Sequence, residues 1–264
     1  MYFLIVYVCF INTFAKYSKK NMQRNKLWYL KLLMLLAAIS YFIAVFLDYK
    51  DSVDLIRAIS IPLFLILLIV LKNKEYLFLG LFFILFSISD FIYIFMDFNE
   101  DISYFTGNIM YVLSYISLFI YLLTNINFKE IFKKFFFYIL VLIIVMSYLL
   151  YSLDRIMDFD VYADKLSILD YLLNSAYNFV ILLILVCSFL RYLFFMTKKS
   201  LLLFAACFCL SFCELIDVAI LFIENENVLN LSYSVLLLIG FYFFYKHIVF
   251  IAVLEGDKGL EKIE

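Results

Sequence analysis

Three carboxylates stand deep within long apolar runs: Asp90, Glu214 and Asp217. An ionisable group in hydrocarbon is costly, so each needs a partner, a cavity or a proton. Asp90 falls seven residues before Asp97, about 10 Å of helix from the nearest acidic loop. Glu214 and Asp217 fall ten and seven residues before Glu224, about 10–15 Å deep. Ser87-x-x-Asp90-x-x-Tyr93 and Ser211-x-x-Glu214-x-x-Asp217 share one i, i+3, i+6 spacing, which puts each trio on one helical face and has the form of a distant internal repeat. Neighbouring segments bring Asn108, Tyr111, Ser114 and Tyr115, then Asn174, Ser175, Tyr177 and Asn178, then Ser232, Tyr233 and Ser234 to the same depth. The implied pocket holds carboxylates, amides and phenols, with no histidine and no lysine.

Two carboxyls close together in a dry site divide their roles. One keeps a proton and donates it, while the other stays ionised and holds a water. Glycosidic bonds are cleaved this way, and the chemistry suits acid-labile ether or acetal-like bonds. Ester hydrolysis through a Ser–His–Asp set is excluded from this layer by the lack of a histidine. The same acids could alternatively bind or carry cations and protons. The serines and asparagines, taken singly, also read as interhelical hydrogen-bond glue, worth about 0.6–2 kcal/mol each.

The elements that must position these groups follow from composition. The chain has 264 residues, 67% hydrophobic and 16% charged, with 33 Phe and 22 Tyr. Its mean hydropathy is +1.05. A soluble domain of this length has no interior large enough for such an excess, so lipid covers much of the surface. Soluble enzymes, disordered chains and nucleic-acid binders are excluded, the last by the lack of a basic patch for a phosphate backbone. One proline and five glycines favour uninterrupted helices over barrel strands.

Nine stretches approach the length that crosses a bilayer. They run over 1–15, 27–47, 55–71, 76–96, 102–123, 132–153, 171–190, 201–223 and 228–254. The expected fold is an all-α, polytopic transmembrane bundle of about nine helices. The first stretch, without a basic leader or small-residue cleavage site, reads as an outer helix rather than a signal peptide. The third is short, with Arg57 and Lys72 expected to snorkel from its ends. All Lys and Arg except Lys50, Arg57, Arg155 and Lys165 fall on one side, and the other carries the acids of the loops around Asp51, Asp97, Asp158 and Glu224. The positive-inside rule then sets the N-terminus outside and the C-terminus in the cytoplasm, and a bacterial inner membrane is the expected location. The five cysteines all lie in spans and pack as small apolar residues, and the one histidine, His247, is expected at the interface beside Lys246.

Certain stretches resemble signatures of the YhhN family of small membrane proteins, which includes lysoplasmalogenases. Ile61-Pro62-Leu63 resembles the family's Pro-Leu segment, without its lysine but with Arg57 four residues upstream. Gly80 through Ser89-Asp90 resembles the Gly-Asp helix, with Ser89 for the glycine. Phe105-Thr106-Gly107 resembles the start of the next signature, where Tyr115 stands for the family's histidine. Ala206 through Cys213-Glu214 resembles the late signature, with Cys213-Glu214 for Ser-Asp. The resemblance covers 27–254. It implies an eight-helix membrane domain there, an extra helix and basic loop over 1–26, and a short tail over 255–264. It further implies water-dependent cleavage of the vinyl ether bond of a lysophospholipid, with Asp90 and Glu214 catalytic. Asn108, Tyr111, Tyr115, Asn174, Tyr177, Asn178 and Asp217 would line the substrate. No cofactor or metal is implied. The two rival expectations are a proton- or cation-coupled transporter and a non-catalytic membrane sensor or structural protein.

Overall fold

The structure, a computed structural model, describes residues 28–47, 49–71, 76–95, 100–124, 126–156, 168–222 and 227–261. The expected first stretch, 1–15, lies outside the described residues. Those residues form eight helices, each holding a segment long and apolar enough to cross a membrane. They are α1 Trp28–Phe46, α2 Lys50–Leu71, α3 Leu77–Phe95, α4 Glu100–Leu123, α5 Phe128–Ile156, α6 Ile168–Phe195, α7 Lys198–Phe222 and α8 Asn227–Glu261. The protein is an all-α, polytopic membrane protein.

Six of the helices close a ring. α2 packs on α3, α3 on α4, α4 on α6, α6 on α7 and α7 on α8, and α8 meets α2 again in the slightest of these contacts. Inside it, Phe82, Phe83, Phe86, Tyr115, Leu118 and Phe244 are buried almost completely. Their rings interlock, with Phe82 and Phe83 centroids 5.0 Å apart and Phe82 and Phe244 5.8 Å apart. α5 flanks the ring: Leu153 packs with Leu182 of α6 and Val218 of α7, while Phe137, Val141 and Ile144 stay exposed on its far side. An apolar surface of that extent belongs in lipid. α1 lies over the α2–α8 seam, where the Tyr41 hydroxyl donates to Ser234 Oγ at 3.4 Å.

Local sequence explains the tight places. α6 and α7 are joined by Met196 and Thr197 alone, with Met196 in the left-handed region at φ 47°. Thr197 and Ser200 then cap α7 reciprocally: Ser200 N–H donates to Thr197 Oγ1 at 3.2 Å and Thr197 N–H donates to Ser200 Oγ at 3.1 Å. On α8, a Cβ added to Gly240 would stand 3.3 Å from the Cβ of Cys209, so the missing side chain lets α7 and α8 approach closely.

Three expectations change. The short third stretch begins at Lys50 rather than Leu55 and makes a 22-residue helix, so Arg57 is seven residues inside it and turns inward instead of snorkelling. α8 runs on to Glu261, past the expected end at Leu254. His247 is buried rather than interfacial, its Nε2 2.9 Å from the Tyr121 hydroxyl and its Nδ1 2.9 Å from the Lys199 carbonyl. Beside it, Arg191 is buried too, donating to the Tyr121, Leu122 and Thr124 carbonyls, the last at 2.8 Å. These carbonyls lie at the close of α4, where Thr124 N–H and Oγ1 donate to that of Tyr121, and the guanidinium adds donors to all three and meets the negative pole of the helix.

Candidate functional site

The acidic end of the ring, where α3 and α7 finish and α2, α4, α6 and α8 begin, carries an inward-facing polar layer. Every ring helix contributes to it. α2 supplies Arg57, α3 Asp90, α4 Tyr111 and Tyr115, α6 Tyr177, α7 Glu214 and Asp217, and α8 Tyr233. Two of these groups are organising centres.

The first is Arg57 with Asp90. Asp90 is 1% exposed, and its Oδ1 lies 3.3 Å from an Arg57 Nη. The same Nη lies 3.4 Å from Oδ1 of Asp54, one turn nearer the helix start, and the other Nη donates to the Tyr233 hydroxyl at 3.4 Å. At those distances the pairs are electrostatic more than hydrogen-bonded. Both Asp90 oxygens therefore keep lone pairs that no described group fills, as does Ser87 Oγ one turn away, and Arg57 Nε donates to nothing described. A charge so placed survives only because its partner is there.

The second centre is Glu214, 3% exposed on α7. Tyr115 donates its hydroxyl to Oε1 and Tyr177 donates to Oε2, so α4 and α6 grip one carboxyl from two sides. Tyr111 completes an aromatic clamp, with its ring 5.5 Å from Tyr115, 5.8 Å from Tyr177 and 4.6 Å from Phe86. The two centres share one electrostatic environment: the Arg57 charge acts on Glu214 and Asp217, and both Asp90 and Glu214 act on Tyr111.

The remaining expected residues take varied positions. Tyr111, Tyr115 and Tyr177 join Glu214. Asn178 is buried, and Asn174 and Asp217 are half-buried. Asn108 belongs to a different contact, accepting from the Tyr93 hydroxyl at 2.7 Å on the exposed rim of the α3–α4 seam. That rim is close-fitting, since Ser89 Oγ donates to the Gly107 carbonyl at 2.8 Å and a Cβ on Gly107 would stand 2.9 Å from the Tyr93 ring. Sequence reasoning missed Arg57 as a member of the layer. Its depth was hidden, because the expected stretch began at Leu55 and left Arg57 at its edge; the helix start at Lys50 is what puts it inside.

A cavity of about 360 Å³ opens between α1, α2 and α8. Arg57, Tyr41 and Ser60 stand in its wall, with Leu63, Phe64, Leu237 and Phe241. Neither Asp90 nor Glu214 lines it, and Arg57 stands between the cavity and Asp90. Among the described residues, no three His, Cys, Asp or Glu side chains group in a way that could hold a metal ion.

Fold and layer together define a helical membrane protein with buried ionisable groups inside a ring of helices. Comparison with protein-family models, with curated proteins and with solved structures finds no match.

Proposed function

We propose that the chain is a lysoplasmalogenase-like hydrolase, a divergent member of the YhhN family. It would cleave the vinyl ether, or a related ether bond, of a single-chain phospholipid in a bacterial inner membrane, with its acidic end outside. The observation that carries the reading is the pair of buried carboxyl centres, one held by a guanidinium and one by two phenols.

The contrast in their partners divides the roles. Among the described residues Glu214 contacts hydroxyls and no cation, so the Tyr115–Glu214–Tyr177 set is neutral only with a proton on the carboxyl. That proton goes to the β-carbon of the vinyl ether and leaves an oxocarbenium ion, the step general-acid catalysis accelerates. Asp90, paired with Arg57, is the carboxylate that offsets the developing positive charge and holds the attacking water through its open lone pairs. Water adds to the cation and gives its proton to Asp90. As the hemiacetal breaks its carbon–oxygen bond, its hydroxyl returns a proton to Glu214 and Asp90 gives its proton to the alcohol oxygen, which releases a fatty aldehyde and the glycerophospho alcohol with both carboxyls restored. Tyr115 occupies the place of the family's histidine and serves as the phenol that orients the acid.

The test is aldehyde release from lysoplasmalogen by the full chain in liposomes. Turnover that is lost in Asp90→Asn and Glu214→Gln, both still folded, supports the reading. Absence of turnover on every lyso-ether lipid, with wild-type folding intact, sinks it.

A different observation favours the rival transporter. α2–α3–α4 and α6–α7–α8 occupy successive halves of the ring, with α5 as the connection between them. Parallel repeats of this kind, related by an axis along the membrane normal, build several transporters. Proton-dependent uptake of a solute into liposomes, lost in Glu214→Gln and unaccompanied by lipid cleavage, is what that reading requires.

A further inference from the structure

α5 is longer than the hydrocarbon it crosses. Its 29 residues span about 43 Å, whereas about 20 residues cross a bilayer core. No charged residue lies between Lys134 and Asp154, a run of 19 that accounts for the crossing. The seven residues from Phe128 to Lys134 therefore extend past the hydrocarbon at the basic end. The helix breaks at the same place. Phe135 has φ −120° and ψ 25°, outside the helical region, so the turns before it are re-aimed.

This foot is pinned on one side and open on the other. Ile131 and Phe135 are buried against Leu190, Leu193 and Phe194 near the end of α6. On the opposite face Lys129 and Lys133 are exposed, four residues apart, with Lys134 exposed on the flank. Phe132, Phe136 and Phe137 are exposed at the same level.

The charge of the foot is out of place. A helix start is a positive pole that favours anions, yet lysines fill it. Glu130, the one acid in these turns, is taken by the cap: its Oε1 accepts from Asn127 Nδ2 at 3.0 Å. Among the described residues, no carboxylate stands within ion-pair distance of Lys129, Lys133 or Lys134. The Lys134 ammonium lies over the Phe135 ring instead, 5.3 Å from its centroid. Cations at a pole that itself attracts anions call for an anion from outside the chain. The exposed phenylalanines beside them call for hydrocarbon. A soluble polyanion supplies the first alone, whereas an anionic lipid supplies both.

We propose that the start of α5 is a foot that binds anionic phospholipids of the leaflet at the basic end, their phosphates on Lys129 and Lys133 and their chains along Phe136 and Leu140. Among the principal helix contacts α5 meets α6 alone, so lipid held at the foot secures the helix against its one close neighbour. The foot lies at the other end of the bundle from the carboxyl layer. Its lipid is a fixture rather than a substrate, and binding there is independent of the hydrolase reading.

The experiment uses the full chain in bilayers of dioleoyl phosphatidylcholine with added dibrominated phosphatidylglycerol or dibrominated phosphatidylcholine. Bromine quenching of tryptophan reads how tightly each lipid binds. Trp28, exposed on α1 and the single tryptophan of the chain, is first changed to Phe. Leu140→Trp then reports on the foot, seven residues from Lys133 on the same face, and Tyr148→Trp reports on the other leaflet. With Leu140→Trp, phosphatidylglycerol should bind about fivefold more tightly than phosphatidylcholine. With Tyr148→Trp the two lipids should bind alike. Lys129→Gln with Lys133→Gln should bring the ratio at position 140 to about one. Raising the salt from about 0.1 M to about 1 M should do the same with both lysines in place. A ratio near one at position 140 with both lysines present and low salt overturns the proposal. So does a ratio that survives the double variant or high salt, or one that is as large at position 148.

Discussion

Tyr115 and Glu214 are separated by 99 residues of chain and joined by a buried hydrogen bond that ties α4 to α7. The ring has no direct α4–α7 packing among its principal contacts, since α6 stands between them. The bond therefore crosses the inside of the ring, and Tyr177 of α6 supports the same carboxyl from the side.

Tyr115→Phe removes one donor while preserving the ring and its stacking on Tyr111 and Tyr177. A buried carboxyl deprived of a partner costs about 1–3 kcal/mol. Thermal unfolding in detergent should show that loss, and Tyr177→Phe should show a similar one. The double variant should cost more than the sum, because either phenol alone keeps Glu214 partnered and only the double variant strips it of both. If the hydrolase reading holds, aldehyde release falls by about tenfold or more in each single variant, as expected for a group that orients a general acid. Strict additivity of the unfolding costs would mean that the two phenols do not share one carboxyl.

Arg57→Gln leaves Asp90 as a buried charge without a cation, a change worth about 3–5 kcal/mol. Asp90→Asn should be milder, because Arg57 keeps Asp54, which reaches solvent. The combination Arg57→Gln with Asp90→Asn should then be more stable than Arg57→Gln alone. Denaturation of the four proteins in one detergent measures the coupling directly. An Arg57→Gln variant as stable as wild type would mean that the pair contributes nothing to the fold.

These two centres mark what the sequence could and could not reveal. The depth of Asp90 and Glu214 was legible, because hydrocarbon makes any carboxylate within an apolar run conspicuous. The helices were legible for the same reason, apart from their ends. Partners were not. Arg57 precedes Asp90 by 33 residues, and nothing in spacing tells a cation turned into the bundle from one turned out to the lipid head groups. His247 and Arg191 were hidden likewise, since a basic residue near a helix end reads as interfacial until the carbonyls it meets are known. Tyr115 and Tyr177 were placed in the right layer by periodicity, but their shared acceptor depends on how α4, α6 and α7 are arranged around the ring.

A side chain at Gly107 must displace Tyr93. A methyl at that position would stand 2.9 Å from the Tyr93 ring, so Tyr93 must swing away and release Asn108. Tyr93 is exposed, so the move costs little beyond one hydrogen bond, about 1 kcal/mol, and alanine gains roughly as much over glycine inside a helix. Gly107→Ala should therefore unfold within about 1 kcal/mol of wild type, and the same change made in a Tyr93→Ala chain, where no ring is displaced, should raise stability. A loss of stability in that second background would place the strain elsewhere.

The basic end offers a variant that separates stability from chemistry. Arg191 spans three carbonyls at the close of α4, and its partners lie about 9 Å of helix or more from Tyr115. One Arg191 Nη makes all three contacts while the guanidinium lies over the Tyr121 and Phe195 rings; lysine carries the same charge on a stem one bond shorter and has no flat face, so Arg191→Lys should lose part of this cap. A hydrogen bond from a charged group is worth about 1.5–3 kcal/mol, which sets the expected drop in unfolding free energy. The polar layer at the opposite end keeps all its contacts in this variant. Lipid turnover per folded molecule, measured well below the unfolding temperature, should stay within about twofold of wild type, because twofold corresponds to less than ~0.5 kcal/mol at the barrier. A large loss of turnover at unchanged stability would instead tie the α4 cap to the site, through the helix that carries Tyr115.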